Sequence, residues 1–339
     1  MSQYLFIGTF LSNSNGSLSV SEFVASKLKF QIKEIKLVSY YKNKIIRLLD
    51  ILINILSFKG KIAHIEVYSG YAFMISEFAT FLLKIRQKKI ILTLHGGRLN
   101  EFTKENPNRV KRVLNRANII MTPSKFLQMA FKENGYNIDY LPNSINLENF
   151  PYKRDEIIKN SILWVRAFTE IYNPNLAIKI LYEVKKTNPS ATLTMIGPDK
   201  GMLKQIMKLI NELGLNDSIK IVGPVKNELL HKYYQTHEVY LNTTSYESFG
   251  VAIVEAASCG IPVVSTSVGE IPYLWKHEES MLIVNSFNEV VFATEIDKLF
   301  HDNKLTNKLS KNARQKAETF DWEKIKTLWL NVLHRTYEN

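Results

Sequence analysis

Hydrophobic residues along this chain fall into short apolar runs that alternate with longer stretches of helical spacing. The runs in the first half, which we interpret as strands, read YLFIG, IKLVS, AHIEVY, KIILTLH, ANIIMTP and IDYLPN. Those in the second half read SILWVRA, ATLTMIG, IKIVG, EVYLNT, IPVVS and SMLIVN. In the first half, helical periodicity predicts helices over residues 20–29, 42–58, 70–86, 107–116 and 124–134. Such alternation is typical of parallel sheets covered by helices, so we expect an α/β protein with two doubly wound sheets.

The domain boundary is predicted where this alternation stops. The chain has 339 residues, which suits two domains of roughly 150 residues each. The polar segment NLENFPYKRDEIIKN, with Pro151, interrupts the pattern. We therefore expect one Rossmann-like domain over residues 1–152, a second over residues 153–320, and a last helix over residues 321–339 that packs back on the first domain. The apolar stripe of that helix consists of Trp322, Ile325, Trp329, Val332 and Leu333.

Composition places the chain among soluble globular enzymes, with 45% apolar and 22% charged residues. Its formal charge of +12 favours anionic partners such as nucleotides or acidic lipid headgroups, although general solubility also explains such an excess. We expect no nucleic acid partner, because no recognisable binding module accompanies the charge. The single cysteine, Cys259, excludes an intramolecular disulfide, and its apolar neighbours predict a buried packing role.

The sequence shows no export or membrane-spanning pattern. The N-terminal MSQYLFIGTF lacks the basic segment and long apolar run of a signal peptide. No stretch reaches the roughly 18 uninterrupted apolar residues of a transmembrane helix. We therefore expect a cytoplasmic protein.

The stretch SYESFGVAIVEAASCGIPVV, residues 245–264, is the most informative in the sequence. A polar loop follows the predicted strand EVYLN, and a helix is predicted from about Gly250 to Ser258, with Gly260 at its left-handed C-terminal position and Pro262 beyond it. Ligands of doubly wound sheets bind beyond the carboxyl ends of the strands, where helix N-termini point at anions. The start of this helix is therefore a candidate ligand site.

Two glutamates in this stretch, Glu247 and Glu255, lie among apolar residues. An unpaired carboxylate in such a place costs several kcal/mol. In each position a carboxylate can accept hydrogen bonds from sugar or ribose hydroxyls. We therefore expect hydroxyls of a substrate, rather than protein cations, to be their partners.

The block ESFGVAIVEAASCGIPVV resembles the E-x7-E signature of glycosyltransferase family 4, the retaining GT-B "glycosyl transferases group 1" proteins. The resemblance extends over nearly the whole chain, through blocks that are individually weak and that persuade by their order. These blocks are TLHGG at 93–97, TPSKF at 122–126, LPNSINLENF at 141–150, WVRAF at 164–168, IGPD at 196–199 and IVGPV at 221–225. The resemblance implies two Rossmann-like domains that face each other across a cleft, with the acceptor on the first, the nucleotide sugar on the second, and the C-terminal helix crossing back.

The resemblance also implies roles for residues that match the family's motifs. Glu255 would hold the ribose hydroxyls of a nucleotide-sugar donor, and Glu247 would lie beside the transferred sugar. Arg166 would pair with the diphosphate, for which guanidinium geometry is well suited. His95, from the first domain, would approach the sugar and the acceptor.

Further contacts to the donor are implied in the same way. Backbone N–H groups of Phe249, Gly250 and Val251 would reach its phosphate or sugar, and the turn at Gly223 and Val225 would contact its base. The loop with Gly16 in the first domain would close over the phosphates.

One departure from the family lies after Arg166. Family members usually carry a lysine about five residues later, whereas this chain has Ile171, Tyr172 and Asn173 there. Asn173 or Tyr172 can donate a hydrogen bond in its place, or Lys226 can reach in, and the sequence does not choose between them. The missing charge puts donor affinity or donor type in doubt.

The mechanism implied is retention without an enzyme nucleophile. Fixed donors aimed at the leaving diphosphate, Arg166 and the helix N-terminus, supply much of the catalysis, and the leaving phosphate helps to deprotonate the acceptor. His95 then orients rather than attacks. No motif suggests a required metal, and we expect neither a metal nor another cofactor.

The predicted helix over residues 42–58 has a narrow polar stripe, and nearly all its other residues are Ile, Leu or Phe. The favoured interpretation is a helix packed deeply on its sheet. The alternative is a face that rests on a membrane, with lysines at both ends for anionic headgroups, which implies a lipid-linked acceptor. The polar stripe consists of Asn43, Arg47, Asp50, Asn54 and Ser57.

The sequence thus predicts a retaining hexosyltransferase of surface polysaccharide or lipopolysaccharide synthesis, cytoplasmic or peripheral on the inner face of the membrane, that uses a nucleotide diphosphate sugar and a glycan or lipid-linked acceptor. Two alternatives remain open. One is a non-catalytic nucleotide-sugar-binding partner subunit, motivated by the missing lysine. The other is a GT-B nucleotide-sugar epimerase, although the additional acid and base residues that an epimerase needs are not found.

Overall fold

A computed structural model describes residues 4–8, 10, 19–32, 34–38, 40–41, 43–96, 98–154 and 156–338. The chain divides into two compact units. The first consists of Met1–Ser144 together with Glu323–Asn339, and the second of Ile145–Trp322. Each unit contains a six-stranded sheet in which every pair of neighbouring strands is parallel.

The sheet of the first unit has the strand order β2-β1-β3-β4-β5-β6. Its strands are β1 Tyr4–Ile7, β2 Ile35–Val38, β3 Ile62–Val67, β4 Lys89–Leu94, β5 Ile119–Thr122 and β6 Asp139–Tyr140. The described helices are α1 Val20–Leu28, α2 Lys44–Ser57, α3 Phe73–Ile85, α4 Leu99–Glu105, α5 Pro107–Leu114 and α6 Lys125–Glu133. The chain leaves β1 in one direction and later continues from β3 in the other, so β1 and β3 flank the topological switch point.

The sheet of the second unit has the strand order β12-β11-β10-β7-β8-β9, with its switch point between β7 and β10. Its strands are β7 Ile158–Val165, β8 Thr192–Ile196, β9 Ile219–Gly223, β10 His237–Asn242, β11 Val263–Thr266 and β12 Leu282–Val284. The helices are α7 Pro174–Val184, α8 Leu203–Glu212, α9 Asn227–Thr236, α10 Val251–Cys259, α11 Ile271–Leu274, α12 Glu289–His301 and α13 Asn303–Ala317, before the final helix α14 Trp322–Glu338.

The predicted fold class is confirmed, since each predicted strand has a counterpart in the described sheets. The strands β1, β3 and β10 are buried along their whole length, as expected of parallel sheets that helices cover on both faces. Cys259 is buried as expected, and burial raises the pKa of its thiol to about 12. Gly260 has φ +81°, the left-handed conformation predicted for it at the end of α10.

The helix α2 corrects one expectation. It forms within the predicted range, and Asn43 caps its N-terminus, but it is not packed deeply on its sheet. Ile51 and Ile55 are buried, whereas much of the remaining apolar surface of the helix is exposed. The periodicity did not distinguish these arrangements, because both faces of the helix carry apolar residues.

The final helix belongs to the first unit from Glu323 onward, as predicted. Its Trp329 is 6% exposed, and its ring lies 5.5 Å from that of His64 on β3. Arg335 also forms an ion pair of 2.6 Å with Asp139 on β6. The helix therefore completes the core of a unit whose other residues precede it by more than 170 positions in the chain.

We predict that Trp329→Ala lowers the free energy of unfolding of the first unit by about 3–5 kcal/mol, because it removes a large buried side chain. Leu328→Ala is the matched control, since Leu328 lies on the same helix and is 41% exposed. Urea unfolding of both variants measures the difference. Equal stabilities would show that α14 does not carry part of the core.

Candidate functional site

The carboxyl ends of β7 and β10 meet at the switch point of the second sheet, and polar side chains follow each strand there. Arg166 comes directly after β7, and Asn242 is the last residue of β10. The Oδ1 atom of Asn242 accepts hydrogen bonds from Nε and Nη2 of Arg166, at 3.4 and 3.3 Å. The Nδ2 atom of Asn242 donates to Ser265 on β11, at 2.9 Å. A polar network therefore links three neighbouring strands where a doubly wound sheet binds its ligand.

Arg166 forms a buried ion pair with Glu247. Nη2 of Arg166 lies 2.6 Å from Oε2 of Glu247, and both side chains are 11% exposed. Burial lowers the pKa of Arg166, but the carboxylate of Glu247 more than offsets it, so the pKa lies above its ordinary value. The expectation that Glu247 would have substrate hydroxyls rather than a protein cation as its partner is therefore wrong, since its carboxylate pairs with Arg166. The sequence placed these two residues 81 positions apart, and only the sheet brings them together.

The segment Ile171–Tyr172–Asn173 lies beside this pair. The ring of Tyr172 lies under the guanidinium of Arg166, with Cζ 5.2 Å from the ring centroid. Thr243 donates to the carbonyls of Tyr172 and Asn173, at 2.8 and 3.0 Å, which fixes the segment to the loop after β10. An aromatic ring therefore contacts Arg166 from the segment in which the resemblance expects a second cation.

Asn173 and Lys226 have structural positions. Asn173 has φ +49° and caps α7, because its Oδ1 accepts from the backbone N–H of Leu176 at 3.3 Å. Lys226 is exposed and precedes the first residue of α9. Tyr172 thus contacts the guanidinium of Arg166, Asn173 caps a helix and Lys226 is exposed, while the contact of any of them with a donor stays a prediction.

The N-terminus of α10 lies directly beyond Glu247. Gly250 precedes the helix as its N-cap residue, with φ +89°, and no side chain of the described residues caps the helix. The backbone N–H of Phe249 donates to Oε1 of Glu247 at 3.4 Å, while the Phe249 side chain is buried in the core. The N–H groups of Gly250 and Val251 thus belong to an uncapped first turn, as the anion site requires.

Gly269 holds the backbone of Glu247 in place. It has φ +54°, and a Cβ atom there would lie 1.9 Å from the carbonyl oxygen of Glu247. The same carbonyl accepts a hydrogen bond of 3.0 Å from the N–H of Glu270. The loop after β11 therefore needs glycine at this position for the close approach of the two chain segments.

Glu255 lies inside α10 and faces α9. Its Oε1 accepts from Nδ2 of Asn227 at 2.8 Å, and its Oε2 from the hydroxyl of Tyr234 at 3.2 Å. Burial raises the pKa of Glu255 to about 7, although both hydrogen bonds lower it. Of the residues that the structure describes, no cation forms an ion pair with this carboxylate. Glu255, unlike Glu247, is therefore a carboxylate without a charged partner.

The predicted base-binding turn lies at the end of β9. Gly223 is the last residue of that strand, with φ +82°, and its carbonyl accepts from the N–H of Gly197 at 2.9 Å. Val225 is partly buried against the core that α10 joins. The turn leads directly to Asn227, the partner of Glu255, so these residues are close along the chain.

A second polar cluster lies at the switch point of the first sheet. His95 follows β4, and its Nε2 lies 3.4 Å from Oε1 of Glu66, near the end of β3. The imidazole also stacks on the ring of Tyr68, with centroids 5.3 Å apart. His95 and Glu66 thus form a close contact between a histidine and a buried carboxylate.

Glu66 is the centre of this cluster. The hydroxyl of Tyr68 donates to its Oε2 at 3.2 Å, and the hydroxyl of Ser21 donates to its Oε1. Burial raises the pKa of Glu66, but His95 and Ser21 outweigh burial and hold it below its usual value. At Gly8, directly after β1, a Cβ atom would lie 2.8 Å from Oε2 of Glu66, so a side chain there would require the carboxylate to move.

The structure groups the predicted site residues by unit. Arg166, Glu247, Phe249, Gly250 and Val251 come together at the second switch point, with Asn173 beside Tyr172. The sequence analysis missed Asn242, Asn227, Tyr234 and Glu66. Asn242 and Glu66 could have been found from the sequence, because each is a polar residue near the end of a buried strand. The sequence analysis placed both residues in strands but gave them no role.

Gly16, expected to close over phosphates, lies outside the described residues. Within residues 4–338, apart from the gaps given above, no group of three His, Cys, Asp or Glu side chains is arranged to hold a metal ion.

Comparison with known proteins finds a family match within the second unit. Residues 153–316 match the sequence profile of a family described as Glycosyl transferases group 1. The D-inositol 3-phosphate glycosyltransferase of Streptomyces bingchenggensis is 31% identical over 121 residues, which cover 36% of this chain and 27% of that protein. The matches to four such curated relatives cover between 27% and 42% of their lengths.

Solved structures share the fold of the whole chain. Anabaena HepE, in complex with UDP and glucose, has a TM-score of 0.78 and 16% identity and covers 98% of this chain and 99% of its own. A sucrose-phosphate synthase from Thermosynechococcus elongatus has a TM-score of 0.81 and 17% identity and covers 99% of both chains. These likenesses, at low identity, establish the fold.

We predict that Glu255 makes stability depend on pH. Its pKa in the folded chain is about 7, against an ordinary value of 4.5. Between these values the folded chain holds a proton that the unfolded chain has lost, so the free energy of unfolding falls as the pH rises. Relative to Glu255→Gln, the wild type should lose up to about 3 kcal/mol across this window. Urea unfolding of both proteins from pH 4.5 to above pH 7 measures it, and a constant difference would show that Glu255 is ionised throughout.

We also predict that Glu66→Ala lowers the free energy of unfolding by about 1–3 kcal/mol, because the hydroxyls of Ser21 and Tyr68 lose their acceptor. Glu66→Gln is the matched control, since it keeps one side-chain oxygen and should lose less. Chemical unfolding of the two variants at neutral pH tests this order. Equal losses in the two variants would mean that the charge, which both remove, stabilises the cluster rather than the acceptor oxygens.

Proposed function

We infer, because residues 153–316 match the sequence profile of the glycosyl transferases group 1 family, that this protein is a retaining glycosyltransferase that uses a nucleotide diphosphate sugar. The observation that carries this proposal is the buried pair of Arg166 and Glu247 at the switch point of the second sheet. A guanidinium there suits a diphosphate, and a carboxylate beside it suits sugar hydroxyls.

The ion pair explains how the site tolerates two buried charges. An unpaired buried charge would cost several kcal/mol, and here each charge is neutralised by the other. In the proposed complex the diphosphate takes over Arg166, and a hydroxyl of the transferred sugar takes over Glu247. Asn242 and Tyr172 contact the guanidinium from other sides, which supports a fixed position for it while its partner changes.

The remaining donor contacts follow the geometry of α10 and its neighbours. We propose that Glu255 accepts from the ribose hydroxyls, and that Gly223 and Val225 contact the base. The N–H groups of Gly250 and Val251 would bind phosphate or sugar. Phe249 would join them once its N–H is released from Glu247.

The uncharged segment Ile171–Tyr172–Asn173 affects how the diphosphate of the donor is neutralised. With Tyr172 against Arg166 and Asn173 capping a helix, Arg166 and the start of α10 neutralise the leaving diphosphate without the second cation. We propose that binding relies on the cation–π contact, which is worth about 0.5–2 kcal/mol and keeps the guanidinium oriented. Asn173 would affect donor binding indirectly, because it holds the neighbouring Tyr172 in position.

In the first unit, we propose that His95 approaches the sugar and the acceptor. Its contacts with Glu66 and Tyr68 hold the imidazole in one orientation. The role is positioning, with the leaving phosphate as the group that deprotonates the acceptor. The loop with Gly16 would close over the phosphates.

The transferred sugar, the acceptor and the cellular location are also proposed. We propose a hexose as the transferred sugar and a glycan or a lipid-linked molecule of surface polysaccharide or lipopolysaccharide synthesis as the acceptor. The protein would act in the cytoplasm or on the inner face of the cytoplasmic membrane, in peripheral contact with anionic lipid. The charge of +12 and the exposed apolar residues of α2 support such a contact. A UDP-sugar is the first donor to test, because a protein of the same fold has been solved with UDP and glucose.

The test is release of nucleoside diphosphate from a panel of nucleotide sugars by the purified full-length chain. Arg166→Ala should lower the rate by about 10²–10³, since it removes a donor to the developing charge. Glu247→Ala should also lose turnover. Lys186→Ala is the matched control, because Lys186 is an exposed cation of the second unit that contacts Glu183 and the ring of Tyr182, and it should retain full activity.

The alternatives predict other results in the same assay. A rise in melting temperature with a nucleotide sugar, but no turnover under any acceptor condition, would replace the enzyme by a nucleotide-sugar-binding partner subunit. Conversion of the donor to its epimer without release of nucleoside diphosphate would indicate an epimerase.

A further inference from the structure

The outward surface of α2 is apolar over nearly its whole length. Six of its side chains are between 41% and 72% exposed, and all of them are Ile or Leu. They are Ile45, Ile46, Leu48, Leu49, Ile53 and Leu56. The polar residues Arg47, Asp50 and Asn54 are only half-buried, on the side towards the sheet, and Ile51 and Ile55 lie beneath them. The arrangement therefore inverts that of an ordinary surface helix, whose exposed side is polar.

The neighbouring helix α3 continues this surface. Its outward stripe consists of Met74, Phe81 and Ile85, which are 57%, 50% and 62% exposed. The helices pack side by side, and Arg86 joins their ends by donating to the carbonyls of Leu56 and Phe58. The nine exposed side chains thus form one surface, the α2–α3 face. Contiguous apolar surface of this extent marks a binding site for a protein or a membrane.

Charge distinguishes between these partners. Residues 40–90 contain nine Lys and Arg but three Asp and Glu. Of the three, Glu66 is buried and Glu77 forms an ion pair with Arg109, at 2.6 Å. Lys59, Lys61 and Lys84 are exposed near the C-terminal ends of the two helices. Two copies of this surface would bring like charges together, whereas anionic lipid headgroups would attract them.

The geometry favours a helix that lies on a bilayer. The helices have 14 and 13 residues, too short to cross its hydrocarbon core, and no helix among the described residues is long and apolar enough to span a membrane. Apolar side chains that enter the headgroup region, with lysines at the edge, are the pattern of an interfacial helix.

We propose that the α2–α3 face docks on the surface of an anionic lipid bilayer. This proposal names the surface that makes the membrane contact of the proposed function. It rests on the proposed function only for its biological purpose, since docking requires no catalysis. An acceptor with a lipid anchor would then be presented to a protein that is already held at the same surface.

The experiment is co-sedimentation of the full-length chain with vesicles of phosphatidylcholine alone or mixed with phosphatidylglycerol. Wild type should bind the mixed vesicles and lose binding as salt is raised. The double variant Leu49→Ser with Ile53→Ser should bind about tenfold more weakly, because both side chains point away from the core. A Lys59→Glu and Lys61→Glu double variant should weaken binding to the mixed vesicles only.

The matched control is Val290→Ser with Val291→Ser, two exposed residues of α12 in the second unit, and it should bind as the wild type does. Thermal unfolding verifies that each variant folds. The proposal is overturned if wild type ignores mixed vesicles, or if the Leu49 and Ile53 variant binds them equally well. A wild-type dimer that this variant converts to a monomer, without vesicle binding, would instead assign the face to a second copy.

The outcome is separable from that of the proposed function, because nucleotide-sugar turnover is measured without vesicles. The Leu49 and Ile53 variant should release nucleoside diphosphate at the wild-type rate. Vesicle binding without turnover by the wild type would leave the docking surface standing and remove the glycosyltransferase.

Discussion

The ion pair between Arg166 and Glu247 is the interaction on which the rest of the second unit's site depends. Removing one partner of such a buried pair typically costs about 3–5 kcal/mol, because the other charge stays buried without compensation. The surrounding structure is arranged to keep both in place. Asn242 contacts the guanidinium from the next strand, Tyr172 lies under it, and Gly269 permits the close approach that fixes the backbone of Glu247. The start of α10, which no described side chain caps, lies directly beyond Glu247.

Both units place buried polar groups at the switch point of their sheet, but the groups differ. In a doubly wound sheet the switch point leaves a crevice beyond the strand ends that no crossover helix covers. The second unit fills its crevice with an arginine and a carboxylate, and the first with a carboxylate, two hydroxyls and a histidine. Glu66 remains charged there because its neighbours supply hydrogen bonds and His95 lies close, whereas Glu255, with only neutral partners, titrates near neutrality. The contrast shows how the partners of a buried carboxylate, rather than its burial alone, set its pKa.

The α2–α3 face is the opposite case, in which apolar rather than charged groups lack protein partners. A contiguous patch of exposed Ile and Leu side chains costs solubility rather than local stability, and such patches mark surfaces that a partner covers. The surplus of lysine and arginine around the face reduces association between copies, which is consistent with a partner of negative charge. The same segment therefore meets two requirements, solubility of the free chain and attraction to an anionic surface.

The sequence by itself determined the elements and their class. Twelve strands, the helix after EVYLN, the left-handed Gly260 and the family resemblance follow from local periodicity and from residues close together in the chain. Only the tertiary structure decided which groups meet. Arg166 and Glu247 are 81 residues apart, and His95 lies 29 residues from Glu66, so their pairing depends on strand order and register. The tertiary structure also decided which side of α2 faces outward. Both sides of this helix carry apolar residues, so the periodicity does not indicate which side packs on the sheet.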